Sequence, residues 1–268
     1  MAIIRIDHKP ESLGVITPLQ LIIPEPGDMR GVPVRDRKVL YLLHGLSEDA
    51  GAWQRYTMIE VFAQERGLIV VMPSGARSFY IDRRDGQKYF TYLTEELPTY
   101  LSAVFGIEAK RERTLIAGSS MGGYGAFKAA LTCPERYAAA CSLSGVLSAG
   151  ILQGLSADPR RAEFELLFGG LERLAGGEHD PLVWLRNAAE KRNAGETTLP
   201  ELTVCCGKQD ELYPLSLAFR EACARLDVPL TYHESDGAHD WRYWNREIEW
   251  FLKDRKSTRL NSSHTNLS

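Results

Sequence analysis

Gly118-Ser119-Ser120-Met121-Gly122, with Gly123 behind it, is the stretch that decides how this chain folds. Before it, Arg113-Thr114-Leu115-Ile116-Ala117 reads as a buried strand. After it, Tyr124-Gly125-Ala126-Phe127-Lys128-Ala129-Ala130-Leu131 reads as a helix. A serine between glycines on a strand-to-helix turn is a nucleophile elbow. Such a turn holds the serine in strained backbone geometry, and larger neighbours would collide with the strand or the helix. It also sets the hydroxyl at a helix N-terminus, where negative charge is favoured. A glycine-rich turn without chemistry is the plain alternative, and the flanking strand and helix weigh against it.

An elbow of this kind belongs to the α/β-hydrolase fold, in which an acid and then a histidine follow the serine along the chain. The serine needs a base, and the base needs a carboxylate to orient it. Leu202-Thr203-Val204-Cys205-Cys206-Gly207 is a second buried-strand pattern, and Asp210 lies just past its end, where parallel sheets carry their functional groups. Leu230-Thr231-Tyr232-His233-Glu234 alternates like a strand, and His239 follows it in a glycine-containing loop. The order Ser120, Asp210, His239 is the expected one. Of the 6 histidines, His8 and His264 lie outside the core pattern, and His179 falls in an insert. His233 sits inside a strand, and His44 precedes the serine. Glu211 and Asp236 are the rival acids. Glu211 would serve if the loop register differed by one, whereas Asp236 is too close to His239 in sequence to reach its far nitrogen.

An oxyanion hole takes the N–H of the residue after the nucleophile, here Met121, and a second from the loop after an earlier strand. Lys38-Val39-Leu40-Tyr41-Leu42-Leu43 is that strand and His44-Gly45-Leu46-Ser47 that loop, so Leu46 N–H is the second donor. His44 is expected to brace the loop. The aromatic residues nearest these motifs are Trp53, Phe79, Tyr80, Tyr213 and Trp241. All five are candidate walls of a compact substrate pocket, Trp53, Tyr80, Tyr213 and Trp241 foremost, with core packing as the alternative for each.

Strand patterns fall at Ile3–Asp7, Thr17–Ile23, Val39–Leu43, Leu68–Met72, Thr114–Ala117, Ala138–Leu143, Leu202–Cys206 and Leu230–His233. Helical patterns fall between them at Thr57–Arg66, Tyr89–Phe105, Gly122–Leu131, Pro214–Leu226 and Trp241–Lys253. The alternation predicts an α/β architecture, a mainly parallel central sheet with helices on both faces and an antiparallel first pair at one edge. Residues 1–255 read as one domain. A helical insert from about 148 to 198, with short helices at Ala162–Phe168 and Pro181–Ala189, sits where a lid would cover the site. Residues 256–268 are polar and rich in Ser, Thr and Asn, and read as a disordered tail with the look of a cloning scar.

The chain has 268 residues, 44% hydrophobic content and a net charge of -3, which suits one globular domain and gives no sign of a nucleic-acid or anionic-membrane partner. No window approaches the ~18 apolar residues of a membrane span, and the N-terminus lacks a leader's apolar core. The 5 cysteines lie in predicted strands and helices without zinc-site spacing, so no metal site is expected and a cytoplasmic location is. A homo-oligomer is allowed.

His44-Gly45-Leu46-Ser47 with Trp53, Val71-Met72-Pro73-Ser74, Glu95-Glu96-Leu97-Pro98, Gly118-x-Ser120-Met121-Gly122-Gly123 and Gly237-x-His239-x-Trp241 together resemble the esterase D group. That group holds S-formylglutathione hydrolases, tributyrin-type carboxylesterases, feruloyl esterases and mycolyltransferases. The likeness runs from about Val15 to Leu252. It implies serine esterase chemistry on a small-molecule ester, without a cofactor, by way of an acyl-enzyme on Ser120. S-formylglutathione hydrolases usually carry His before the nucleophile, where this chain has Ser119, so the resemblance is nearest to the short-chain carboxylesterases. Glu48-Asp49 also departs from the usual Gly-Asn. A glutathione-thioester hydrolase, a feruloyl-type esterase or an acyltransferase is the alternative. A binding protein on the same scaffold ranks last, because all three triad residue types are present.

Overall fold

The computed structural model describes residues 1–25, 32–84, 86–150, 158–253 and 255. Among them, eight strands form one sheet: β1 (Ala2–His8), β2 (Thr17–Ile23), β3 (Val39–Leu43), β4 (Ile69–Pro73), β5 (Thr114–Ser119), β6 (Ala139–Leu143), β7 (Glu201–Gly207) and β8 (Leu230–Ser235). Their order across the sheet is β1-β2-β4-β3-β5-β6-β7-β8. The β1–β2 and β2–β4 pairs are antiparallel and the others parallel. Every residue of β3, β4, β5 and β6 is buried. These strands are covered on both faces and therefore read as nearly continuous apolar runs. Side chains still alternate: Val39, Tyr41 and Leu43 enter one core, Leu40 and Leu42 the other.

The helices are α1 (Ala52–Tyr56), α2 (Ile59–Arg66), α3 (Tyr89–Thr91), α4 (Leu97–Phe105), α5 (Met121–Thr132), α6 (Arg161–Phe168), α7 (Pro181–Asn193), α8 (Tyr213–Arg225) and α9 (Trp241–Leu252). One core packs Phe127 of α5, Leu185 of α7 and Phe219 of α8 against the sheet; the other packs Phe62 of α2 with Trp244, Ile248 and Phe251 of α9. Two helices differ from expectation. The pattern from Thr57 starts earlier, as α1, and breaks at Thr57, whose extended backbone sends both its N–H and its hydroxyl to the Trp53 carbonyl. The pattern over Tyr89–Phe105 is interrupted by a π-helical stretch, Tyr92–Glu96, just before Pro98. Proline has no N–H for the i→i−4 bond, and the wider turn absorbs the gap.

The expected insert contains α6 and α7. Asp180 caps α7 by accepting the Leu182 N–H at 3.0 Å. Residues 151–157 of the insert, and the expected disordered tail 256–268, lie outside the described residues. No helix among the described residues is long and apolar enough to cross a membrane.

Candidate active site

Ser120 stands between β5 and α5 with φ 54° and ψ −118°, a conformation that costs a non-glycine residue energy and is held by its surroundings. Its N–H donates to the Leu143 carbonyl at 2.9 Å, and its carbonyl accepts the Tyr124 N–H at 3.1 Å. The glycines make the turn fit. A Cβ on Gly118 would lie 2.4 Å from the Gly122 carbonyl carbon, and one on Gly122 would lie 2.3 Å from the Leu43 carbonyl oxygen. Helix α5 therefore starts in contact with the end of β3, which brings the loop after β3 alongside Ser120.

That loop is fixed through His44. The ring is 1% exposed; its Nδ1 lies 2.7 Å from the Gly45 carbonyl, and its Nε2 accepts the Gly75 N–H at 2.8 Å. Burial holds the His44 pKa below its ordinary value. With one nitrogen donating and the other accepting, His44 is a neutral brace. Tyr80 completes it, donating from its hydroxyl to the His44 carbonyl at 3.1 Å. Neither Leu46 N–H nor Met121 N–H donates to a described residue in the loop and turn hydrogen bonds around the site. Glu48 ties the loop further: its Oε2 accepts the Gly45 N–H at 2.7 Å. Burial pushes the Glu48 carboxyl up, against the pull of hydrogen bonds from Gly45 and Trp241.

Asp210 follows β7 and His239 follows β8. His239 Nδ1 lies 3.0 Å from Asp210 Oδ2 and 3.1 Å from Oδ1. Asp210 also accepts the Leu212 N–H at 2.8 Å. Burial would raise its carboxyl, but hydrogen bonds from His239 and Ser144 outweigh it and hold the group below the usual carboxylate range. Glu211, the rival acid, lines the cavity, and Asp236 offers its carbonyl to Arg246. The other histidines are occupied elsewhere: His233 pairs with the buried Glu247 at 3.1 Å, and His179 packs on Phe168.

Ser120, Met121, Leu46 and His239 open onto one cavity of about 460 Å³ at the carboxyl ends of the strands. Phe79, Val146, Phe164, Leu212 and Trp244 supply its apolar wall, and Glu48, Asp158, Arg160 and Glu211 its polar one. The pocket aromatics expected from sequence need correction, since none of Trp53, Tyr80, Tyr213 and Trp241 is among the described residues lining it. Trp53 is 1% exposed and donates its indole N–H to the Leu43 carbonyl at 2.9 Å. Tyr80 is buried beneath the His44 loop. Tyr213 turns its hydroxyl to Glu234 at 2.7 Å, and Trp241 packs between Trp53 and Tyr56. Trp53→Ala is therefore expected to cost about 3–5 kcal/mol of stability in chemical denaturation and to leave the acyl-length preference unmoved. The wall that sequence reasoning missed includes Trp244, one helical turn beyond Trp241, and Phe164, from the insert.

Comparison with known proteins agrees with this architecture. The Esterase family model matches residues 18–251. FphF, a fluorophosphonate-binding serine hydrolase of Staphylococcus aureus, is 35% identical and superimposes with a TM-score of 0.84, covering 95% of this chain and 98% of that one. The S-formylglutathione hydrolase FrmB of the same organism is also 35% identical, with a TM-score of 0.82 and the same coverage. An acetyl esterase of Caldicellulosiruptor saccharolyticus is 29% identical over 267 residues, covering 94% of this chain and 99% of that protein. The chain belongs to the Esterase family and is an α/β-hydrolase-fold serine hydrolase acting on carboxylic ester bonds.

Proposed function

We propose that this chain hydrolyses esters of short acyl groups through an acyl-enzyme on Ser120, with His239 as base and Asp210 as its orienting acid. The observation that carries this reading is the His239–Asp210 contact, 3.0 and 3.1 Å to the two carboxylate oxygens, on the same cavity as a strained Ser120. His239 takes the Ser120 proton as Ser120 Oγ attacks the ester carbonyl. The carbonyl oxygen becomes an oxyanion against Leu46 and Met121 N–H. The tetrahedral centre collapses, the alcohol leaves with the proton from His239, and a water repeats the cycle to free the acid. Asp210 holds the tautomer that presents Nε2 to Ser120 and offsets the charge of the imidazolium.

The apolar wall of Phe79, Val146, Phe164 and Leu212, with the likeness to an acetyl esterase, supports a small acyl group. The residues from about 148 to 198 act in this reading as a cap within a single domain. The small-molecule ester is the partner, and five free cysteines support a reducing cytoplasm as its location. The likeness to FrmB makes a glutathione thioester the second substrate to test. With p-nitrophenyl esters from acetate to laurate, kcat/KM is expected to peak at acetate to butyrate and fall by laurate. Each methylene that fits gains about 0.8 kcal/mol of burial, and the first that does not fit reverses the trend. An optimum at laurate would refute the short-chain reading, and faster turnover of S-formylglutathione than of any oxygen ester would favour the thioesterase.

A further inference from the structure

Ser144, at the end of β6, has φ 49° although it is not glycine, and its side chain is fully buried. A glycine would adopt this backbone without strain. The hydroxyl therefore has to offset the cost of the side chain, and its surroundings show how. Trp244 Nε1 lies 3.1 Å from Ser144 Oγ. An indole N–H can only donate, so Ser144 Oγ accepts, and its own proton is left to point elsewhere. Asp210, which can only accept, is the carboxylate that a Ser144 hydrogen bond helps to hold below its usual range. The backbone fixes the arrangement: Ser144 N–H donates to the Cys205 carbonyl at 2.8 Å, in the strand that leads to Asp210. Cys206, the other titratable group beside Ser144, is pushed up to about 12 by burial and stays a neutral thiol. Trp244 also meets the far end of the pair. Its ring stands edge-on to the His239 ring, with centroids 5.0 Å apart and planes at 87°. The same indole lines the cavity.

We propose that Trp244 and Ser144 are positioning residues for the acid and the base. The indole N–H sets the rotor of the Ser144 hydroxyl so that it holds the Asp210 carboxylate, while the edge of the same ring fixes the plane of His239. One side chain thus orients both partners of the His239–Asp210 contact, from opposite ends. This rests on the triad reading above.

The test compares Ser144→Gly, Trp244→Phe and the double variant with the parent protein. Ser144→Gly removes the hydroxyl and relieves the left-handed backbone. Trp244→Phe keeps a ring against His239 and removes the N–H. Each single variant is expected to turn over p-nitrophenyl acetate with kcat about tenfold lower and KM within about twofold, the size of one hydrogen bond to a charged group. The double variant should be no slower than the slower single one, because both changes break one relay. Without the hydroxyl, Asp210 keeps its proton to higher pH, so the part of the acid-side loss of stability that Asp210 carries should shrink, which a merely structural loss would not do. Ser144→Gly should unfold at the parent's temperature or above it. Parent-like kcat in Ser144→Gly would overturn the proposal, as would losses that multiply in the double variant. If Ser144→Gly does not fold, parent-like kcat in Trp244→Phe overturns it alone. Failure of the triad reading would look different: a fluorophosphonate probe would then miss Ser120 in the parent protein.

Discussion

Ser120→Ala is expected to lower kcat by about 10⁴-fold or more, with the thermal unfolding curve almost unchanged. The side chain is small, and alanine meets the same backbone cost at φ 54°, so the elbow has no new reason to open. What is lost, in the proposed mechanism, is the atom that forms the acyl-enzyme, and water attacking directly would keep no more than the cavity and the proposed oxyanion donors. A fluorophosphonate probe with peptide mapping should label Ser120 and leave Ser119 unmodified. Ser119 is fully buried, and its Oγ has no hydrogen-bond partner among the described residues. Labelling at Ser119, or near-parental turnover by the alanine variant, would remove Ser120 from the chemistry.

Asp210→Asn should be nearly as damaging, on the scale of about 10⁴ in kcat. Asparagine keeps the shape but can turn an N–H₂ toward His239 Nδ1, which favours the tautomer with its proton on the wrong nitrogen. Glu211→Gln should change little, because Glu211 borders the cavity while Asp210 meets the imidazole. The reverse pattern would move the acid by one residue. A pH signature accompanies the Asp210 change. Because Asp210 is held below the usual carboxylate range, its ionised form stabilises the folded chain above the unfolded value of about 3.9, and that contribution fades as pH falls through the folded value. The asparagine variant should lack that part of the acid-side loss when unfolding is followed against pH.

The central strands were legible in the sequence because β3, β4, β5 and β6 are buried on both faces and hold little but apolar residues. The elbow was legible for a related reason: Gly118 and Gly122 mark backbones that touch. The break at Thr57 and the π-helical turn before Pro98 were not, because each answers to bonds a periodicity does not carry. The pocket was the least legible part. Trp53, Tyr80 and Trp241 are near the right motifs, but nearness along the chain does not say which way a ring points. Trp53 and Tyr80 face inward because each N–H or O–H finds a carbonyl of the β3 end, Leu43 or His44, and the remaining ring area is better buried than wet. Trp244 and Phe164 line the cavity from a helix and an insert whose placement depends on the whole sheet.

The wedge of Tyr80 beneath the His44 loop carries a consequence for how this protein tolerates change. Its ring is gripped between two backbones: a Cβ on Gly75 would come 2.4 Å from the ring, and one on Gly125 would come 2.5 Å from it. Gly125 lies inside α5, where alanine would ordinarily be the better helix former by about 1 kcal/mol. The loop that faces the nucleophile therefore has its footing in residues that never meet a substrate. In a saturation map of activity, sensitivity would not fade smoothly with distance from Ser120. It would reappear as an island along Gly75, Tyr80 and Gly125, and a ranking by proximity alone would score those sites as dispensable.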